Sequence, residues 1–262
     1  MNMKIMALVF LLLLFASFIG ISQGQLTVGF YSNTCPDAES IVSGVVRNAA
    51  QSNSNIPPVL LRLHFHDCFV KANGPSYEVP TGRRDGTVSD VSLADNMPDV
   101  SNSIRQLKDT FLQKGLSEKD LVLLSAAHTI GTTACFFMTD RLYNFSPARG
   151  SDPSINPDFL LELQSICPQN GDVNVRLPID RGSEQTFDKH ILENIRNGFA
   201  VLESDAKLYD DETTRIVVDS YLNPILGTSF EADFVESIVK MGQIDVKTGS
   251  NGEIRSVCSA FN

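Results

Sequence analysis

Tryptophan is absent from the 262 residues, tyrosine occurs 5 times and histidine 4 times. Basic side chains are scarce beside acidic ones, 21 against 31, which gives a net charge of −10. A surface of that sign repels phosphate backbones and excludes nucleic acid as a partner. Cysteine is sparse too, and Cys35, Cys68, Cys135, Cys167 and Cys258 stand too far apart for a zinc-finger spacing. Beyond the N-terminus no apolar run is long enough to cross a bilayer, so no membrane anchor is expected. Internal repeats, low-complexity tracts and long linkers are missing, as is the strand-helix alternation of a barrel. What remains is ordinary globular composition, 42% hydrophobic and 20% charged, in a chain long enough for a sizeable core.

Residues 1–24, MNMKIMALVFLLLLFASFIGISQG, combine one lysine, an apolar run from Ile5 to about Phe15 and small residues at Ser22 and Gly24. That is the build of a secretory signal peptide, so residues 25–262 are expected to form one domain. Its removal leaves 20 basic side chains against 31 acidic ones, a net charge of −11. Secretion permits disulfides, and an odd cysteine count leaves at least one thiol unpaired or intermolecular.

The periodicity is mostly helical. Pro57 and Pro58 suit a first helical turn, where no amide donor is needed. Arg62 and His66 then share a face, while His64 falls nearly opposite. In SEKDLVLLSAAHTIG, Ser117 and Asp120 form a capping-box pattern, and Leu121, Leu124 and His128 lie along one stripe until Gly131 ends it. Phe230, Phe234, Ile238 and Met241 make a third stripe, closed by Gly242. Strand signals are few and short, with Tyr77–Val79 the best.

The stretch RLHFHDC from Arg62 to Cys68 gathers most of the polar chemistry. As a helix it projects Arg62 and His66 together, a cation beside an acid/base. As a strand it would present His64 and His66 as an H-x-H pair, the start of a hydrolytic zinc site. A third reading is a helix with one buried and one exposed histidine. His128 on its apolar stripe is either a satisfied core residue or the ligand of a flat, apolar cofactor. A ligand of that kind needs an acid on its other ring nitrogen, and Asp205 in VLESDAKL is a candidate.

Taken together, TCPDAESIV, LLRLHFHDCFV, GRRDG, KGLSEKDLVLLSAAHTIG, RLYNF, CPQNG, LESDAKL and KMGQIDVKTGSNGEIRSVC resemble the secretory plant peroxidases, class III haem enzymes of the plant, fungal and bacterial superfamily. Phe65, where the intracellular ascorbate-type branch has tryptophan, agrees with secretion. The resemblance implies a mostly α haem-peroxidase fold with few short strands and haem b as cofactor. It implies reduction of hydrogen peroxide at the expense of small phenolic donors, in cell-wall chemistry of the lignin and suberin type and in oxidative stress. The chain would be a monomer outside the cell, in the wall or in the vacuole.

The resemblance also implies residue roles. His66 would move a proton between the peroxide oxygens, and Arg62 would stabilise the charge that develops. His128 would be the axial iron ligand, with Asp205 accepting its Nδ1–H. Pro98 would edge the donor site. Thr129, Asp180, Ser183, the Thr186 carbonyl and Asp188 would hold a proximal calcium. Cys135 and Cys167 would form a disulfide.

One departure from the family pattern stands out. After Val70 the sequence runs through Lys71, Ala72 and Asn73 directly to Gly74 and the GPSYEVPTGRRDG turn, where the family has several dozen further residues. Part of the distal half is therefore expected to be missing. Only Asp67 and the Val70 carbonyl would remain of a distal calcium site, leaving one calcium per chain. The partners of Cys35, Cys68 and Cys258 would be gone, with a risk of crosslinking between chains. The alternative to a working enzyme is then a non-catalytic remnant, a splicing or gene-model product.

Overall fold

The computed structural model describes residues 26–262 apart from 54, 67–74, 76, 89, 91, 94–96, 149, 227–228 and 258; of residues 62–66 it describes the helical backbone. Asp67 and Val70, the remnant calcium ligands, and Cys68 and Cys258 lie outside the described residues, as does the join at Lys71–Gly74. The chain divides into two compact units.

Among the described residues, the smaller unit gathers 26–35, Val79–Val88 and Val246–Asn262. Isolated antiparallel bridges hold it together, Thr27 to Thr81, Arg84 to Lys247 and Asp85 to Glu253. Gly252, at φ 77°, is required there, because a Cβ would lie 2.3 Å from the Asp85 carbonyl oxygen. The strand expected at Tyr77–Val79 does not form. Pro80 has no N–H to continue a ladder, and Thr81 makes only its single bridge.

The larger unit is helical. Its elements are Ala38–Ser52 (α1), Ile56–His66 (α2), Ile104–Gln113 (α3), Glu118–Ser125 (α4), Thr139–Tyr143 (α5), Pro157–Ile166 (α6), His190–Arg196 (α7), Glu203–Asp210 (α8), Glu212–Leu222 (α9) and Phe230–Met241 (α10). Two three-residue strands, Thr132–Ala134 (β1) and Arg176–Pro178 (β2), pair antiparallel with Thr133 opposite Leu177. Mostly α is therefore the observed fold class. No helix among the described residues is long and apolar enough to cross a membrane.

Because α2 is helical through His66, the strand needed for an H-x-H pair is not there. Nor does any group of three or more His, Cys, Asp or Glu gather around a metal position among the described residues. The helical backbone counts against the zinc-hydrolase alternative.

The core is built around α4, which packs against α3, α9 and α10. Leu121, Val122 and Leu123 are fully enclosed. Burial of each such side chain contributes about 1.5–3 kcal/mol. The expected capping box is present: the Ser117 hydroxyl accepts from the Asp120 N–H while Asp120 accepts from the Ser117 N–H. Asp120 also accepts from Ser237 at 2.8 Å and Lys240 at 2.6 Å, tying the start of α4 to α10. From α10, Phe230, Phe234 and Ile238 enter the core as the stripe predicted.

Candidate functional site

The α-helix predicted to run on to Gly131 stops at Ser125. Ala126–Thr129 tightens into a 3-10 turn, which takes His128 off the Leu121–Leu124 stripe and buries Thr129 completely. Gly131 follows at φ 112°, and a Cβ there would stand 3.2 Å from the Pro58 Cβ. Only glycine meets both conditions easily.

The turn places His128 against α8. Its Nδ1 lies 3.0 Å from both Asp205 carboxylate oxygens. A carboxylate only accepts, so Nδ1 carries the proton, and Nε2 is the nitrogen suited to a metal. Asp205 is wholly buried in the first turn of α8, where the helix N-terminus favours its charge, while the His128 side chain is 38% exposed. An imidazole held in one tautomer by a buried acid is a donor set that fits haem iron.

The following residue, Thr129, begins an oxygen cluster. Its Oγ1 donates to Asp180 Oδ2 at 2.8 Å and lies 3.3 Å from the Thr186 carbonyl and 3.5 Å from Asp188 Oδ1. Ser183 Oγ donates to Asp188 Oδ2 at 2.7 Å. Register explains the convergence: β1 leaves the His128 turn, β2 returns beside it, and the next residues are Ile179 and Asp180. Burial pushes the Asp180 carboxyl up from its ordinary range, only partly opposed by donation from His190, Thr129 and Asn194. All five residues expected at the proximal calcium thus meet, and two carboxylates, two hydroxyls and a carbonyl are oxygen donors of the kind a hard cation takes.

Cys135 and Cys167 are joined by a disulfide with their Cα atoms 5.4 Å apart. Cys35 is unpaired and exposed. Pro98 is half-buried in irregular chain. Arg62 and His66 lie on α2, whose backbone alone is described there.

Three groups escaped the sequence reading. Arg141 is only 1% exposed. Its Nε donates to Asp152 at 2.7 Å, and Nη1 donates to the carbonyls of Ala200 and Val201, just ahead of α8. Burial alone would raise the Asp152 carboxyl; Arg141 and Ser154 more than offset that and hold it low. His190 and Asn194 both donate to Asp180 Oδ1, at 2.9 and 2.6 Å. Tyr209, one turn beyond Asp205, donates to Asp219 Oδ1 at 3.1 Å. The partners lie 10 to 60 residues apart in sequence, and no local pattern marks them.

Comparison with known proteins agrees with this geometry. A family model described as Peroxidase matches residues 70–224, which include His128, Asp205 and the oxygen cluster. Peroxidase 43 of Arabidopsis thaliana is 56% identical over 309 residues, covering 94% of this chain and 95% of that protein. Peroxidase 13 of Arabidopsis thaliana is 44% identical over 321 residues (98% and 99%), and Peroxidase N1 of Nicotiana tabacum 40% over 320 (98% and 97%).

Proposed function

Because this chain belongs to the haem peroxidase family, in its plant class III branch, we propose that it is a secreted enzyme that reduces hydrogen peroxide and takes electrons singly from phenolic donors of cell-wall chemistry. The observation that carries this reading is the His128–Asp205 pair, held at 3.0 Å with the acid wholly buried. Haem, when bound, supplies the iron at which the peroxide O–O bond is cleaved.

His128 Nε2 would hold that iron. Asp205 keeps the proton on Nδ1 and makes the ring more electron-donating. His66 would move a proton from one peroxide oxygen to the other, and Arg62 would stabilise the charge that develops between them. Pro98 would edge the donor site. One calcium would bind among Thr129, Asp180, Ser183, Thr186 and Asp188 and fix the residue next to His128.

A second reading is a non-catalytic remnant. Alignment over 309 residues with Peroxidase 43 exceeds the 262 residues of this chain, which supports a block present in the relative and missing here. Helix α1 fits that reading, since it has no buried residue and leaves Ile41, Val42 and Val45 more than half exposed.

The deciding experiment loads the mature chain with haem and follows its absorption spectrum and its turnover of guaiacol with hydrogen peroxide. A haem spectrum that is lost in His128→Ala, with turnover in the parent, is expected. A folded chain that takes up no haem would overturn the enzyme reading. Haem uptake without turnover, restored by inserting the relative's block after Val70, would establish the remnant.

A further inference from the structure

The tyrosines differ in what receives their phenolic proton. Tyr143 donates to a backbone carbonyl, that of Cys167, at 2.8 Å, and a carbonyl does not take a proton at neutral pH. Tyr221 donates to Asp233 at 2.7 Å but is only 3% exposed, and Asp233 is also paired to Lys119 at 3.0 Å. Tyr209 donates to Asp219 Oδ1 at 3.1 Å and is half-buried. It also stands four residues after Asp205 on α8, so the two side chains share a helix face. Asp205 in turn contacts His128.

We propose that Tyr209 is a second oxidation site, an electron relay at which phenolic donors are oxidised at the protein surface. The proposal rests on the peroxidase reading for its oxidant. One electron leaves the Tyr209 ring for the peroxide-oxidised centre beyond His128. The O–H bond breaks and the proton passes to Asp219, leaving a neutral phenoxyl radical beside a neutral carboxylic acid. A donor phenol then returns one electron, Asp219 returns the proton, and the donor releases its own proton to water as it becomes a phenoxyl radical.

Burial and the Asp219 carboxylate push the Tyr209 hydroxyl above its ordinary range, so it is a neutral phenol at physiological pH and needs such an acceptor to be oxidised. Arg196 and Arg215, both exposed, act on Tyr209 electrostatically in the opposite sense.

The test has two arms. In the first, the full haem-loaded chain reacts with hydrogen peroxide without donor, and radicals are read by freeze-quench electron paramagnetic resonance and by nitroso spin-trap adducts mapped on peptides. A tyrosyl signal with its adduct on Tyr209 is expected, falling about tenfold or more in Tyr209→Phe and in Asp219→Asn but not in Tyr143→Phe. An undiminished signal in Tyr209→Phe, or adducts confined to other residues, overturns the proposal. The second arm needs no haem: flash-generated tris(bipyridyl)ruthenium(III) oxidises the unloaded chain, and Tyr209 modification is read by mapping. It should slow about tenfold or more in Asp219→Asn, and equal rates overturn the relay. Failure to take up haem or consume peroxide counts against the peroxidase reading alone, since the ruthenium arm judges the Tyr209–Asp219 couple separately.

Discussion

Replacing Asp120 by asparagine should destabilise the helix that delivers His128, and by an amount that depends on pH. The carboxylate accepts from the Ser117 N–H at 2.7 Å, the Ser117 hydroxyl at 2.8 Å, Ser237 at 2.8 Å and Lys240 at 2.6 Å. Asparagine offers one oxygen and turns an NH2 group toward donors that need an acceptor. Hydrogen bonds to a charged group contribute about 1.5–3 kcal/mol each, but the Lys240 side chain is 44% exposed and water screens its share. A total loss of about 2–4 kcal/mol follows at pH 6. Burial by itself would raise the Asp120 carboxyl; donation from Lys240, Ser117 and Ser237 instead lowers it from 3.8 to about 2. A depressed carboxylate stabilises the fold above its unfolded pKa and loses that contribution as pH falls through the folded one. The charge-dependent part, about 1–2 kcal/mol after screening, should therefore fade between pH 3.8 and about 2. Guanidinium unfolding of both proteins, with the disulfide intact and helicity followed by circular dichroism, measures the gap at pH 6 and again near pH 3. A gap that stays constant across this range, or lies below about 0.5 kcal/mol at pH 6, would refute the reasoning.

Arg141→Met should cost about 3–5 kcal/mol in the same assay, because it strands the buried Asp152 carboxylate and two carbonyls; a neutral outcome would show that the pair is dispensable. Metal analysis after dialysis should return one calcium per chain, lost in Asp180→Asn; two ions would contradict the single site. If the chain turns over, His66→Ala should slow peroxide cleavage by about 10²–10⁴-fold with haem retained, and equal rates would remove His66 from the mechanism. Iodoacetamide should label Cys35 in the native protein and leave Cys135 and Cys167 untouched until reduction; early labelling of the pair would refute this pattern.

Helix stripes and caps were legible because they are local. The Ser117–Asp120 box and the Phe230, Phe234 and Ile238 face follow from spacing alone and stand in the structure as read. The end of α4, at Ser125 rather than near Gly131, is not legible in the sequence. Nothing in SAAHTIG distinguishes a tightened 3-10 turn from another α turn, since packing of α7 against the turn carries that information. Chemistry and family resemblance offer Asp205 to His128, yet sequence alone does not place two residues 77 apart within hydrogen-bond reach. The role of Arg141 stayed hidden for a related reason. A buried guanidinium is spelled like an exposed one, and only its acceptors on a distant loop reveal the difference.

Helix α1 carries a consequence for the order in which the molecule opens. A helix of 15 residues with a glycine at position 44 and no buried side chain is marginal as an isolated unit in water. Its amides should therefore exchange with solvent through local fraying, at a free energy far below that of global unfolding, while the enclosed amides of α4 wait for the whole core to open. The same gradient directs proteases to α1 first. Cleavage there would leave the His128 turn, β1, β2 and the oxygen cluster together in the one fragment C-terminal to the cut.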